Sequence, residues 1–252
     1  MATRPPILYK YLDRAGAEAF LKQPQLRYKD FRELDDLMEV LPGFRSLSQD
    51  EAAELGRLRA QSGVAVQFSL EKHAFFLKTL SEVDPRYLED EFRKQLAHLP
   101  PALFICSLTE RADSVAMWSS YAEKHQGIVF GLSTALDWII AASRRSLVPV
   151  VYSDCRIQMP FPIVVPDVIG KAVRFKSTDW QYQSEWRLIS SSDATDFLAP
   201  ADVAEVVVGY RASDTLFSVA DRMRASGVRV FRAVPDSRRY RIELREENPK
   251  QS

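Results

Sequence analysis

Cysteine and histidine are scarce in this chain, which has two cysteines and three histidines among its 252 residues. The histidines, His73, His98 and His125, have none of the close spacings with each other or with paired cysteines that zinc sites need. The sequence therefore predicts no metal site. Cys106 and Cys155 lie in segments that we interpret as buried strands, and two cysteines are too few for a disulfide framework. We expect both to be free thiols.

The chain also lacks an excess of charge of either sign and any long apolar run. Lysine plus arginine and aspartate plus glutamate total 34 each, so no general field draws the protein to nucleic acid or to an anionic membrane. No window approaches the ~18 to 20 apolar residues of a membrane span, and Met1–Leu12 has no run suited to a signal peptide. We expect a cytoplasmic protein with no membrane contact, on which local charged patches are still allowed.

Common catalytic motifs are absent as well. The sequence has no Walker phosphate loop, no Gly-x-Gly-x-x-Gly fingerprint, no Gly-x-Ser-x-Gly elbow and no His-Glu-x-x-His helix. These absences argue against a P-loop nucleotidase, a Rossmann dehydrogenase, a serine hydrolase of the elbow type and a zinc metalloprotease. Any chemistry has to come from less common groups of residues.

The composition is that of an ordinary globular protein, with 46% hydrophobic and 27% charged residues. At this length we expect one domain over residues 1–252 with a single core. Alternating apolar residues indicate strands near both ends, and the capping signals Ser48–Glu51 and Asp84–Pro85 indicate a helical middle. The order predicts an α+β fold, in which a mixed and largely antiparallel sheet carries helices and a helical insertion at about 48–98.

The same patterns predict the individual elements. The predicted strands are Ile7–Leu12, Gln25–Lys29, Ala102–Leu108, Ile128–Leu132, Leu147–Tyr152, Glu185–Ile189, Val203–Val208, Val228–Phe231 and Tyr240–Leu244. The predicted helices follow Asp13 and cover 48–61, Leu70–Val83, Pro85–Ala97, Asp113–Lys124, Thr134–Ser143 and Asp214–Ala225.

Three uncommon groups of aromatic and charged residues stand out. They are Leu8–Tyr11 in the first strand, Met117–Ala122 followed by His125, and Trp180–Arg187 at a late strand. Trp118 and Tyr121 lie on adjoining helical stripes, which are more typical of a core than of a ligand-stacking wall. His125 follows the helix end, where the dipole favours a cation, so a capping role competes with a catalytic one.

The late strand places Glu185 and Arg187 on one face, because alternate residues of a strand point the same way. The plainer interpretation is an ordinary ion pair, and the functional one is a carboxylate held beside a ligand. If Lys176 also points there, the site combines a carboxylate, two cations and aromatic walls, which suits a nucleotide-like or anionic ligand. The predicted pocket is lined by Tyr9, Trp118, Tyr121, His125, Lys176, Glu185 and Arg187.

In this order the groups resemble the bacterial family catalogued as domain of unknown function 2971, and the resemblance covers nearly the whole chain. The residues that carry it are Leu8–Tyr11, Leu26–Tyr28, Cys106–Leu108, Met117–Trp118, Tyr121–Ala122, His125, Gly127, Val151–Tyr152, Lys176, Trp180, Tyr182, Glu185–Arg187 and Val206–Gly209. Membership implies no particular reaction, since the family is uncharacterised.

A more distant resemblance is to the mono-ADP-ribosyltransferase fold, which uses a polar residue of the first strand, a Ser or Tyr of a central strand and helix, and an essential Glu of a late strand. It implies that Glu185 is the catalytic carboxylate. It further implies Tyr9 or Lys10 as the first-strand contact, with Ser107 or Tyr121 as the central element. The ligand that it implies is NAD, whose ribose a carboxylate can orient and whose nicotinamide an aromatic ring can stack on.

Two other function classes stay open. One is a non-enzymatic ligand- or protein-binding module, for instance in bacterial defence against phage, and neutral charge with no motif fits it equally well. The other is a cysteine-dependent hydrolase that uses Cys106 with His125, which requires contact between a thiolate and an imidazole. The predicted burial of Cys106 argues against the hydrolase.

Overall fold

The computed structural model describes residues 4–34, 36, 38, 40–46, 48, 50–51, 84–98, 103–134, 145–161, 170–191 and 195–246. The chain divides into two compact units, the first formed by Met1–Leu34, Pro101–Val150 and Thr178–Ser252, the second by Asp35–Pro100 and Val151–Ser177. The prediction of a single domain is therefore not confirmed. Most of the predicted insertion at 48–98, the predicted helix Leu70–Val83 and nearly all of Thr134–Ser143 lie outside the described residues.

The described residues form helices, short 3-10 turns and strands. The helices are α1 (Arg14–Lys22), α2 (Pro85–His98), α3 (Val115–Tyr121) and α4 (Asp214–Asp221), and the 3-10 turns are Phe31–Glu33, Thr178–Gln183, Pro200–Asp202 and Arg222–Ser226. The strands are β1 (Ile7–Leu12), β2 (Gln25–Arg27), β3 (Lys29–Asp30), β4 (Gly43–Ser46), β5 (Phe104–Thr109), β6 (Ile128–Ser133), β7 (Arg145–Pro149), β8 (Val151–Tyr152), β9 (Gln158–Phe161), β10 (Phe175–Lys176), β11 (Glu185–Ser190), β12 (Thr195–Phe197), β13 (Val203–Val208), β14 (Arg229–Pro235) and β15 (Ile242–Glu246).

One large sheet organises the first unit. Nine of the described strands form it, in the order β15-β14-β13-β6-β1-β5-β11-β7, with β3 also paired to β5. Its pairings are antiparallel except that of β13 with β14, which is parallel. The prediction of an α+β fold with a mixed, largely antiparallel sheet is confirmed.

Side-chain caps start α1 and α4 where the sequence predicts these two helices to begin, whereas α3, predicted from Asp113, begins at Val115 after the cap Ser114. Asp13 accepts a hydrogen bond from Gly16 N at 2.7 Å at the start of α1, and Ser213 accepts one from Leu216 N at 3.1 Å at the start of α4. The predicted capping box is also present. Ser48 N donates to the Glu51 carboxylate at 2.9 Å while Glu51 N donates to the Ser48 hydroxyl at 3.2 Å, which satisfies two amides that a helix start leaves unpaired.

The two faces of the sheet carry separate apolar clusters. On one face α1 and α4 pack on buried residues of the central strands, and the rings of Phe20 and Phe130 stack at 3.9 Å. On the other face α3 packs Met117 and Trp118 against Tyr11 and Val129. Because side chains alternate along each strand, the residues that β1, β6 and β13 contribute to the second cluster are odd-numbered, namely Tyr11, Val129 and Val207.

The sheet is interrupted between β1 and β5. These strands pair at a single position, Tyr9 with Thr109, and the start of β5 pairs instead with β3. The carbonyl of Ser107 lies between the two pairings and accepts a hydrogen bond from the Lys10 ammonium at 2.8 Å. A side chain thus satisfies a backbone oxygen at a position of β5 with which neither β1 nor β3 pairs.

The second unit has its own short pairings. Strand β4 pairs in parallel with β9, and β8 pairs in parallel with β10. Helix α2 packs on β4, where the rings of Phe44 and Phe92 meet edge to face at 5.2 Å between centroids. Glu89 of the same helix binds both Arg93 and Arg156, at 2.9 and 2.6 Å.

One predicted strand is divided, and one burial prediction is wrong. Leu147–Tyr152 forms two strands, because the backbone changes partners between Val150 and Val151. Cys155 is exposed in a turn after β8, where the Ser153 hydroxyl bonds both its N–H and its carbonyl. Both cysteines are free.

Two late elements also have different bounds. The predicted helix Asp214–Ala225 is α-helical only to Asp221 and continues as a 3-10 turn. The predicted strand Tyr240–Leu244 begins at Ile242, since Tyr240 lies in the preceding turn. Among the described residues no helix is both long and apolar enough to cross a membrane.

Gly127 is expected to tolerate no side chain. A Cβ at this position would lie 1.8 Å from the backbone oxygen of Leu12, and backbone atoms cannot move aside cheaply. Gly127→Ala should lower the free energy of unfolding by at least ~3 kcal/mol in chemical denaturation. Gly170→Ala is the matched control, because nothing lies within 4 Å of its Cβ position. Equal stabilities of the two variants would contradict this packing.

Candidate functional site

A row of residues crosses the odd-numbered face of the large sheet from strand to strand. It consists of Glu205 on β13, Gly131 on β6, Tyr9 on β1, Thr109 on β5 and Glu185 on β11, each paired in register with the next. We call these five residues the polar row. Four of them are polar, and both carboxylates are buried, so the row needs internal partners for its charges.

Glu185 is held by Arg187 at one end of the polar row. Arg187 donates from Nε to Oε1 at 2.9 Å and from a terminal nitrogen to Oε2 at 3.3 Å. The side chain of Glu185 is 4% exposed and that of Arg187 is 0% exposed, so both charges are shielded from water. The same-face pair that strand alternation predicts is present, in a two-pronged geometry that holds the carboxylate in one orientation.

Glu185 is preceded by a tightly bonded turn. Ser184 has φ of 44°, a left-handed conformation that is costly for a residue with a Cβ. Gln183 before it is buried, and its side-chain amide donates to the Tyr121 hydroxyl at 2.8 Å. Its carbonyl accepts from the Thr109 hydroxyl. This turn therefore ties Glu185 to both β5 and α3.

The other end of the polar row is a second, partly buried network. The Tyr9 hydroxyl donates to Glu205 at 2.7 Å, and Arg229 donates to the other oxygen of the same carboxylate at 2.6 Å. Gly131 lies between Tyr9 and Glu205, and a Cβ there would come within 3.0 Å of both side chains. Burial, together with the bond to Glu205, raises the pKa of Tyr9 above its usual range.

The two carboxylates act independently of each other. Four strand spacings separate Glu205 from Glu185, which is roughly 19 Å at about 4.8 Å per spacing. Each carboxylate is also paired with its own arginine, Glu185 with Arg187 and Glu205 with Arg229. The candidate site is thus the Glu185 end of the row, with Tyr9 and Thr109 beside it.

Helix α3 and the turn after it contribute packing more than open surface. Trp118 is fully buried, and its indole N–H donates to the Ala112 carbonyl at 2.8 Å. The His125 ring stacks parallel to it at 6.0 Å between centroids. Burial, followed by the charge of Arg211, lowers the pKa of His125. Its Nδ1 is buried and makes no hydrogen bond within the described part of the chain.

The remaining predicted site residues lie in different places. Ser107 pairs with Arg187 across β5 and β11. Lys10 alternates with Tyr9, so its side chain leaves the opposite face and ends at the Ser107 carbonyl. Lys176 belongs to the second unit, where it lies half-buried on β10. Within the first unit, the structure therefore assembles Tyr9, Ser107, Tyr121, Glu185 and Arg187 around one region.

Two residues of the polar row, Thr109 and Glu205, escape sequence analysis. Glu205 has a weak local signal, since a carboxylate inside Val203–Val208 interrupts an apolar run, and Thr109 has none. Their partners are set by strand order, which the sequence alone does not supply.

The alternative site at Cys106 is not assembled. Cys106 is 1% exposed and belongs to the α1 and α4 cluster, whereas His125 stacks on Trp118 of the opposite cluster. Burial also raises the pKa of the thiol, which disfavours a thiolate. Among the described residues no group of three or more His, Cys, Asp or Glu could hold a metal ion.

Comparison with known proteins adds no relative. The chain matches no family model, no curated protein and no solved structure. The two resemblances of the sequence therefore stay predictions, and the candidate site is argued from its own geometry.

Removal of Arg187 should leave a buried charge without its partner. Arg187→Met should lower the free energy of unfolding by ~3 to 5 kcal/mol, whereas the double variant Glu185→Leu/Arg187→Met should recover most of that loss. Arg14→Met is the control, since Arg14 and Glu123 form an exposed pair at 3.3 Å and should contribute at most ~1 kcal/mol. A double variant no more stable than Arg187→Met would refute the argument.

Tyr9 should make stability depend on alkaline pH. A raised pKa in the folded state means that the stabilisation is fully present below about pH 10 and is lost as pH rises further. The free energy of unfolding should therefore fall less steeply above that pH in Tyr9→Phe. The difference is at most ~1.4 kcal/mol per pH unit, reduced by solvent screening at this half-buried hydroxyl. The free energy of unfolding is measured by urea denaturation at each pH. An equally steep fall with pH in the wild type and in Tyr9→Phe would contradict the bond between Tyr9 and Glu205.

Proposed function

We propose that this chain is an NAD-using enzyme of the ADP-ribosyltransferase type, belonging to the family catalogued as domain of unknown function 2971. The observation that carries the proposal is the two-pronged bond between Glu185 and Arg187, on the sheet face that also bears Tyr9 and Thr109. A carboxylate already held in one orientation costs no reorganisation when positive charge develops beside it.

The residues around Glu185 suit the parts of NAD. A carboxylate accepts hydrogen bonds from ribose hydroxyls and stabilises positive charge at the ribose, while the rings of Tyr9, Tyr121 and Tyr182 offer surfaces for stacking. When NAD is cleaved, nicotinamide leaves with the electron pair of its bond to the ribose, and water or another acceptor adds there and releases a proton. Arg187 acts as a positioning residue for Glu185.

A second candidate is a non-enzymatic ligand- or protein-binding module, and one observation favours it. Glu185 is 4% exposed and both of its oxygens bond to Arg187, so the two buried charges satisfy each other without a ligand. A module of this kind needs no reactive carboxylate. The enzyme should turn over NAD and need the Glu185 charge to do so, whereas the binding module should show no turnover.

Nicotinamide release from NAD by the purified protein separates the two functions. Glu185→Gln should reduce the rate by at least ~100-fold, because the carboxylate charge acts in the transition state. Glu185→Asp should keep the charge and the fold while it withdraws the carboxylate from its position, and should also be strongly impaired. Glu243→Gln, on the edge strand β15, should stay within about twofold of the wild type.

Thermal unfolding of all four proteins in the presence and absence of NAD completes the experiment. The wild type should be stabilised by saturating NAD, by ~2.7 kcal/mol at a hundredfold excess over Kd. A wild type that shows neither turnover nor stabilisation would overturn the enzyme and support the binding module. Full activity in Glu185→Gln would show that Glu185 takes no part in the reaction.

A further inference from the structure

The loop between β14 and β15 concentrates positive charge on a chain whose total charge is zero. We call this loop, residues 236–241, the hairpin tip. Its sequence is Asp-Ser-Arg-Arg-Tyr-Arg, so three arginines and one tyrosine accompany a single carboxylate. Basic residues with an interleaved aromatic residue are typical of surfaces that bind nucleic acid.

The hairpin tip is held in one conformation by its acidic residue. The Asp236 carboxylate accepts hydrogen bonds from Arg238 N at 2.7 Å, from Arg239 N at 3.1 Å and from the Arg241 side chain at 2.8 Å. Asp236 N also donates to the Arg241 carbonyl at 3.0 Å, which closes the loop. Only 8% of the Asp236 side chain is exposed, so this carboxylate forms its hydrogen bonds within the loop rather than with solvent.

The groups that point outward are an aromatic ring and two guanidinium groups. Tyr240 is fully exposed, at 107% of its reference area, and the two residues before it, Arg238 and Arg239, are exposed as well. Neither of these guanidinium groups forms an ion pair or hydrogen bond with any residue that the structure describes. Arg241, by contrast, is bound to Asp236 and lies 3.6 Å from Glu243.

We propose that the hairpin tip binds single-stranded nucleic acid. Tyr240 supplies a flat surface on which a base stacks, and Arg238 and Arg239 bind the flanking phosphates. A rigid loop loses little conformational entropy on binding, which favours this use of so few residues. The inference concerns a different surface from the Glu185 site and is independent of the proposed reaction.

The number of free arginines predicts the strength and the salt dependence of binding. Two phosphate contacts on a single strand give a slope of about −1.4 for the logarithm of affinity against the logarithm of salt concentration. Dissociation constants of about 10⁻⁴ to 10⁻⁶ M are expected for such a sequence-independent contact. Oligothymidylate and oligouridylate should bind similarly, since neither phosphate contacts nor stacking distinguish them.

Fluorescence anisotropy with labelled 12-residue oligothymidylate and oligouridylate tests the proposal at a series of salt concentrations. Tyr240→Ala should weaken binding about tenfold with an unchanged salt slope. Arg238→Ala/Arg239→Ala should bring the slope close to zero. The controls are Tyr210→Ala, which removes another exposed tyrosine, and Arg14→Ala/Arg86→Ala, which removes two charges elsewhere; both should bind like the wild type.

An abasic oligonucleotide of the same length isolates the stacking contribution. It should bind the wild type about tenfold more weakly than oligothymidylate, and Tyr240→Ala should not distinguish the two. Undetectable binding at low salt, or equal binding by wild type and hairpin-tip variants, would overturn the proposal. So would Tyr240-dependent binding to phosphatidylserine vesicles without any binding to oligonucleotides, because the partner would then be a membrane.

Discussion

Burial of a carboxylate inside a β-sheet is the constraint on which the first unit depends. A buried charge is tolerated only when donors surround it, and the polar row meets this need twice. Glu185 takes two hydrogen bonds from Arg187, and Glu205 takes one from Tyr9 and one from Arg229. The Glu205 network links β13 to β14 and to β1, so the demand of that charge favours this strand order and register, whereas the Glu185–Arg187 pair lies within β11 alone.

The same constraint shapes the candidate site. The Arg187 guanidinium, which compensates the burial of Glu185, also prevents that carboxylate from rotating. The hydrogen-bonded turn that precedes Glu185 fixes its position relative to Tyr121. Rigid placement of a charged group is what transition-state stabilisation requires. It is also what a purely structural ion pair looks like, so kinetics and not geometry distinguishes an enzyme from a binding module.

The two faces of the sheet differ in what covers them. One face is covered by α1 and α4 over a continuous apolar cluster, in which Phe20 stacks on Phe130. The other face has a smaller apolar cluster under α3, with the polar row alongside it. The hairpin tip uses a third kind of surface, an exposed loop in which Asp236 fixes the backbone so that Tyr240 points outward.

The sequence by itself determined the features that depend on near neighbours along the chain. Asp13 caps α1, and Glu185 and Arg187 share a face, because capping and strand alternation act within a few residues. Only the tertiary structure decided that Glu205 would bind Tyr9, that Cys155 would be exposed, and that the chain would divide into two compact units. Those outcomes depend on which distant strands pair, and pairing is set by the packing of the whole sheet, which local patterns do not contain.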